Sequence, residues 1–123
     1  MTVAIYECRF MEPIHEDADI GSGDLHPDYK WLRLQIELIK KFGAWTRSPG
    51  LYTGAYTDPD TGHPVADKSR EYRIALREEM IPELRKYLKT VAIEFKQKVI
   101  YFYNGKKVEY IYNPERYPER YIE

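Results

Sequence analysis

The chain has one cysteine, Cys8, so it contains no internal disulfide framework and no multi-cysteine zinc site. It has no apolar run near the roughly 18 residues that a membrane span needs. The opening MTVAIYECRF lacks the basic start and long apolar stretch of a signal peptide, and a cytoplasmic location is expected. Charge of one sign is missing too. The formal net charge of −1 gives no global support for nucleic-acid binding, which rests mainly on phosphate neutralisation. The only local basic group is Lys96, Lys98, Lys106 and Lys107, and the aromatic RNP1 pattern of RNA-binding sheets does not occur. HExxH, G-x-S-x-G, a P-loop and G-x-G-x-x-G are all absent. No cofactor and no metal are expected.

What the chain does have is tyrosine, 12 of them in 123 residues. The ring suits strands and interfaces because its body is apolar and its hydroxyl is wet.

The periodicities give an ordered set of elements. VAIYECRF (3–10) reads as a strand with Ala4, Tyr6, Cys8 and Phe10 on its core face, so Cys8 is expected to be a buried small hydrophobe. Residues 11–27, with Pro13, Gly21, Gly23 and an acidic cluster, read as a long loop. A helix follows at 27–42, with Pro27 and Asp28 at its start and Gly43 as a left-handed cap. It carries two apolar stripes, Leu32–Ile36–Ile39 and Trp31–Leu34–Leu38–Phe42, more than one sheet needs. LYTGAYT (51–57) and SREYRIAL (69–76) read as strands, with Gly54 marking a bulge or close approach. A second helix begins at Ile81 and carries Leu84, Leu88, Val91 and Phe95 on one stripe. KVIYFYN (98–104) reads as a strand buried on both faces. Asn104-Gly105 predicts a two-residue hairpin into KVEYIYN (107–113).

The expected fold is α+β: a ferredoxin-like split βαββαβ with an extra C-terminal hairpin strand and two helices on one face of an antiparallel sheet. Residues 1–113 form this single domain, and 114–123, which repeats Pro-Glu-Arg-Tyr, is expected to leave as an extended tail reaching across a dimer.

YTDPDTGHP (56–64) has the look of a cation loop, but its spacing fails the EF-hand pattern because Gly62 falls one position early. Asp58, Pro59 and Gly62 are good turn formers, so a hairpin turn is expected. His15, Glu16, Asp17 and Asp19 could supply a metal with oxygen and nitrogen ligands, but a hydrated acidic loop is the simpler expectation. Glu7 and Arg9 share one strand face, and Glu71 and Arg73 another. If those strands pair, the four form a charge ladder or a polar pocket, with a carboxylate as general base and an arginine as anion clamp.

A further resemblance rests on AIEFKQKVIYFYNGKKVEYI following a G-x-Y-T-G-x-Y…SREY hairpin. This pattern resembles small uncharacterised bacterial ferredoxin-like α+β proteins, a family of unknown function. The resemblance implies a fold and a small size, and it brings no catalytic residues.

The sheet face left bare by two helices must be wet or covered. The reading favoured by its rings is a non-enzymatic interaction or regulatory module, a homodimer that binds through Tyr52, Tyr56, Tyr101, Tyr103, Tyr110 and Tyr112, with room for a further protein partner. The alternatives are a small enzyme whose pocket on that face uses Glu7, Arg9, Glu71 and Arg73, and an RNA- or DNA-binding protein.

Overall fold

The computed structural model describes residues 2–17 and 22–121. Strand β1 (Tyr6–Pro13) is followed by a small hairpin, β2 (His15–Asp17) and β3 (Ser22–Leu25), and then by α1 (Asp28–Phe42). A short β4 (Thr46–Arg47) precedes β5 (Tyr52–Thr57) and the long β6 (Pro64–Leu76). Helix α2 (Ile81–Glu94) leads to β7 (Val99–Tyr103) and β8 (Val108–Tyr112). The main sheet runs β4-β6-β1-β7-β8, with β5 also paired to β6, and every pairing is antiparallel. This is the ferredoxin-like order with an extra hairpin strand, as the sequence predicts.

Period two decides the two faces of this sheet. Cys8 and Phe10 on β1, Tyr72, Ile74 and Leu76 on β6, and Ile100 and Phe102 on β7 point towards the helices and are buried. The α2 stripe (Ile81, Leu84, Leu88, Val91 and Phe95) packs onto them with Trp31, Leu34 and Leu38 of α1. Phe10 stacks on Tyr72 at 5.4 Å, and Gln35 donates to the Tyr72 hydroxyl at 3.1 Å, satisfying the one polar atom that this ring carries into the core. The second α1 stripe, with Leu32, Ile36 and Ile39, faces outwards. Gly43 ends α1 at φ +86°, and its N–H bonds to Ile39 O.

Several expectations change. The first strand lies three residues further along than predicted, keeping its faces, because Glu12 continues the alternation on the helix side at zero exposure. The long loop is partly a hairpin: His15 pairs with Leu25, and Ile14 N–H continues the ladder to Lys68 O after the proline. The Asn104-Gly105 signal marks the right hairpin but not its length. Asn104 opens a four-residue turn, its side chain accepting from Lys106 N and Lys107 N, and Gly105 takes φ +93°. The β7 strand is buried on one face only, since Val99, Tyr101 and Tyr103 reach the open side. The tail is not extended. Residues Pro118–Tyr121 form a 3-10 turn and Tyr117 is buried, because the tail's rings and arginines find partners on the body of the protein. No helix among the described residues is long and apolar enough to cross a membrane.

Candidate functional site

The strand register assembles the bare face row by row. Arg73, Arg9 and Tyr103 stand abreast on β6, β1 and β7. The next row is Glu71, Met11, Tyr101 and Tyr110. Beyond it Tyr52 stands opposite Ser69, and Ser69 opposite Pro13, while Val99 pairs with Tyr112 on the other side. Gly54 and Tyr56 of β5 oppose Asp67 and Val65. All six tyrosines picked out from the sequence, and all four charged candidates, therefore share one surface.

The charged group is not the simple ladder its spacing suggests. Register places Arg9 opposite Arg73, like against like, and leaves Glu7 opposite Ala75. The carboxylates resolve the repulsion. Glu71, only 2 % exposed, accepts from Arg73 Nε at 2.7 Å, and Glu7 lies 3.8 Å from the same guanidinium. The Glu71 hydrogen bond, and to a lesser degree the charges around it, hold Arg73 above its ordinary range. Arg9 turns aside and lies 4.7 Å over the Tyr103 ring.

Beside this group the face is hollow. A recess of about 170 Å³ is lined by Met11, Asp17, Gly54, Asp67, Ser69 and Tyr101. It adjoins a second, of about 430 Å³, with which it shares Ala55, Tyr56, Val99 and Tyr110. The wall on the β5 side is fixed by Asp17, which accepts from the Tyr56 hydroxyl at 2.7 Å and from Lys98 N at 2.6 Å. Burial raises the Asp17 carboxyl, and burial followed by Asp17 raises that of Asp67. Two half-buried carboxyls lining one groove favour a cationic ligand group, which would relieve both. The rings offer stacking surface to a planar one; Tyr101 and Tyr110 meet edge to face at 6.5 Å.

In the sequence Asp67 stands just after the YTDPDTGHP turn, which does not account for it, and Asp17 belongs to a loop read as hydrated. The one hint is Gly54, flagged for close approach; a Cβ at that position would lie 3.6 Å from Asp67 Oδ1. The loop carboxylates proposed for a metal are engaged elsewhere: Glu16 lies near Lys30 and Lys96, Asp17 holds Tyr56, and Asp19 lies outside the described residues. Among the described residues no group of three or more His, Cys, Asp or Glu is placed to hold a metal ion. Cys8 is buried as expected, its thiol pushed up to about 11 by burial and then by Glu7.

YTDPDTGHP forms the β5–β6 turn, with Asp58 O accepting from Gly62 N at 2.8 Å and Asp58 Oδ1 from Asp60 N at 2.8 Å. The turn is also an anchor. Lys98, 1 % exposed, places Nζ 2.9 Å from Asp58 and 3.2 Å from Asp60. Burial pulls this ammonium down, but the two aspartates outweigh it and hold it above its ordinary value.

No protein-family model matches the sequence, and no curated protein matches it. Among solved structures, the chain is similar to a phage SAM lyase in complex with S-methyl-5'-thioadenosine. The two are 15% identical with a TM-score of 0.71, over 93% of this chain and 94% of that one. It is also similar to a phage SAM lyase in the apo state, at 18% identity and a TM-score of 0.58, over 87% and 88% of the two chains. At such identity the likeness is one of fold. It nonetheless overturns the expectation of a non-enzymatic interaction module and of protein interaction as the role of the tyrosine face: both of these similar structures are of a lyase, an enzyme. The alternative expected from the charged residues, a small enzyme with a pocket on the open sheet face, is the better supported one.

Proposed function

We propose that the protein is a small lyase that binds S-adenosylmethionine in the groove on its open sheet face and releases S-methyl-5'-thioadenosine. The observation that carries this reading is the fold shared, over nearly the whole chain, with a lyase holding that thioether. The groove is chemically suited to the substrate. The sulfonium is a cation, and Asp17 and Asp67 place negative charge at the groove floor. The adenine is planar, and Tyr101 and Tyr110 offer rings. The amino-acid end carries both charges: Glu71 suits its ammonium, and Arg9 and Arg73 suit its carboxylate.

In the reaction the bond from sulfur to the methionyl Cγ breaks and its electron pair stays on sulfur, which becomes a neutral thioether. A lyase draws no water into that bond, so the carboxylate oxygen of the same four-carbon fragment bonds to Cγ as sulfur leaves, closing a lactone with no proton transferred. Glu71, tied to Arg73 at 2.7 Å, serves as a binding group. The test is to incubate the protein with S-adenosylmethionine and follow the thioether by chromatography. Glu71→Gln, which keeps the shape and removes the charge, is expected to lower kcat/KM by about a hundredfold or more. A wild-type protein that forms no thioether overturns the reading.

The groove lacks a wall on its solvent side, where Tyr110 is 63 % exposed. A second copy of the chain, the homodimer expected from these tyrosines, is proposed as that wall, because a site closed to water strengthens its charged contacts. Light scattering on the active protein checks this, and a fully active monomer removes it. The substrate is a metabolite of the cytoplasm, in keeping with the location expected from the sequence.

A further inference from the structure

The repeated Pro-Glu-Arg-Tyr of residues 114–121 belongs neither to the sheet nor to the groove lining. It does not trail into solvent. Asn113 starts it as a turn, its side-chain oxygen accepting from Glu115 N at 2.9 Å and Arg116 N at 3.3 Å. The first copy reaches the tip of the β5–β6 hairpin. Arg116 Nη2 donates to Asp60 Oδ2 at 2.8 Å, and the Tyr117 hydroxyl donates to Asp60 Oδ1 at 2.7 Å. The second copy reaches the opposite rim. The Arg120 guanidinium lies 4.0 Å over the Tyr112 ring, and the Tyr121 hydroxyl donates to the Tyr112 backbone oxygen. Tyr117 also meets Tyr112 edge-on at 5.7 Å, so one ring touches both sides.

Tyr112 and Tyr56 line the same hollow, one from each rim. Strand β5, which carries Tyr56, is paired on one side only, to β6. An edge hairpin with a free side opens more readily than the strands behind it. The two copies repeat every four residues, which sets Arg116 and Arg120, and Tyr117 and Tyr121, at equivalent places in successive turns. Each Arg-Tyr pair can then address a different rim. A frayed end would leave its rings in water, yet Tyr117 is 7 % exposed.

We infer that the Pro-Glu-Arg-Tyr repeat is a clamp across the groove: it fixes the distance between the Tyr56 and Tyr112 rims and thereby the affinity for the ligand. Arg116, Tyr117 and Arg120 are positioning residues that act through Asp60 and Tyr112. The effect on affinity rests on the groove being the site proposed above; the clamp itself does not.

The test uses the full chain carrying Arg116→Gln with Tyr117→Phe, and separately Arg120→Ala. Without ligand, amide hydrogen exchange over residues 56–63 is expected to quicken about tenfold in the double variant while α2 stays as protected as before. Affinity for S-methyl-5'-thioadenosine, measured by calorimetry, is expected to weaken about tenfold in both variants, with KM rising and kcat held. Unchanged exchange at 56–63 overturns the clamp. Faster exchange with unchanged affinity, in a protein whose wild type binds, overturns its control of the groove. If the wild type binds no thioether, the lyase reading fails and the exchange result alone decides whether the clamp exists. If the double variant does not fold, Tyr117→Phe, which removes a single hydroxyl, takes its place.

Discussion

Replacing Lys98 by methionine tests the buried ion pair between Lys98 and Asp58. The side chain keeps its length and loses its ammonium, so Asp58, 2 % exposed, faces the interior without the partner 2.9 Å away. Asp60 suffers less, because Tyr117 and Arg116 still hold it. Removing one partner of a buried pair costs about 3–5 kcal/mol, and we expect the lower end, about 3 kcal/mol, because Asp58 keeps the Asp60 amide. For a chain of 123 residues this is a fall in Tm of about 12 °C. The pH dependence separates this cause from a packing defect. In the wild type, Lys98 holds the Asp58 carboxyl below its ordinary value, and Tyr117 first, then Arg116 and Lys98, hold Asp60 down to about 2. Their stabilisation is present above the ordinary carboxylate value of 3.8 and is lost as pH falls through the folded values. In the variant the stranded Asp58 prefers to be protonated, so acid relieves it. Urea unfolding followed by tryptophan fluorescence should give a gap between wild type and variant that is wide at pH 7 and narrower at pH 4. A gap below about 0.5 kcal/mol, within the range of an ordinary surface change, would refute the argument. So would a gap of equal size at both pH values.

Burial, and then Asp17, raise the carboxyl of Glu12, which faces His26 at 3.9 Å. A raised acid stabilises below its unfolded pKa and loses that contribution as pH rises, so Glu12 should make wild-type stability fall as pH climbs from the ordinary value of 4.5 towards its folded one, by up to about 1.4 kcal/mol per pH unit. Glu12→Gln should flatten that slope in urea titrations, and parallel profiles would count against it. His26, pulled down to about 4 mainly by burial, acts with the opposite sign: its stabilisation is lost as pH falls from 6.5 towards 4, which leaves the range above 6.5 to Glu12. Gly105→Ala places a Cβ 2.7 Å from that of Tyr6 at a φ of +93°, and should cost about 2–3 kcal/mol in chemical denaturation. Gly43→Ala, at φ +86° with nothing nearby, should cost about 1 kcal/mol; equal losses would show that the Tyr6 contact is harmless. Ile36→Lys on the outward stripe of α1, 54 % exposed, should change Tm by less than about 2 °C in a thermal melt, and a larger drop would mean that this stripe is covered.

The parts of the fold that are legible in the sequence are those set by local period. The apolar steps from Ile81 to Phe95 make one helical stripe, and the alternation in SREYRIAL sorts its buried from its open side, whereas KVIYFYN reads as buried on both faces and is buried on one. Where prediction missed, the deciding partner was distant. Glu12 falls in the stretch that reads as a loop, and Asp17 reads as hydrated because Tyr56 and the amide of Lys98 lie 39 and 81 residues away along the chain. The charged candidates Glu7, Arg9, Glu71 and Arg73 are visible as a set, but their pairing is not, since a register shifted by two residues, which keeps the faces, would have put Arg9 opposite Glu71 and Glu7 opposite Arg73 in place of Arg9 opposite Arg73.

The amino-acid order alone thus determined two amphipathic helices, an antiparallel sheet, its two faces and the turn at YTDPDTGHP, because each depends on side chains within a few residues of one another. Only the tertiary structure decided that the bare face is hollow, that two half-buried carboxyls line it and that the C-terminal repeat reaches both its rims. Those features need hydrogen bonds and ion pairs between segments brought together by the packed core, and no local pattern records which distant groups a fold will place within 3 Å of each other.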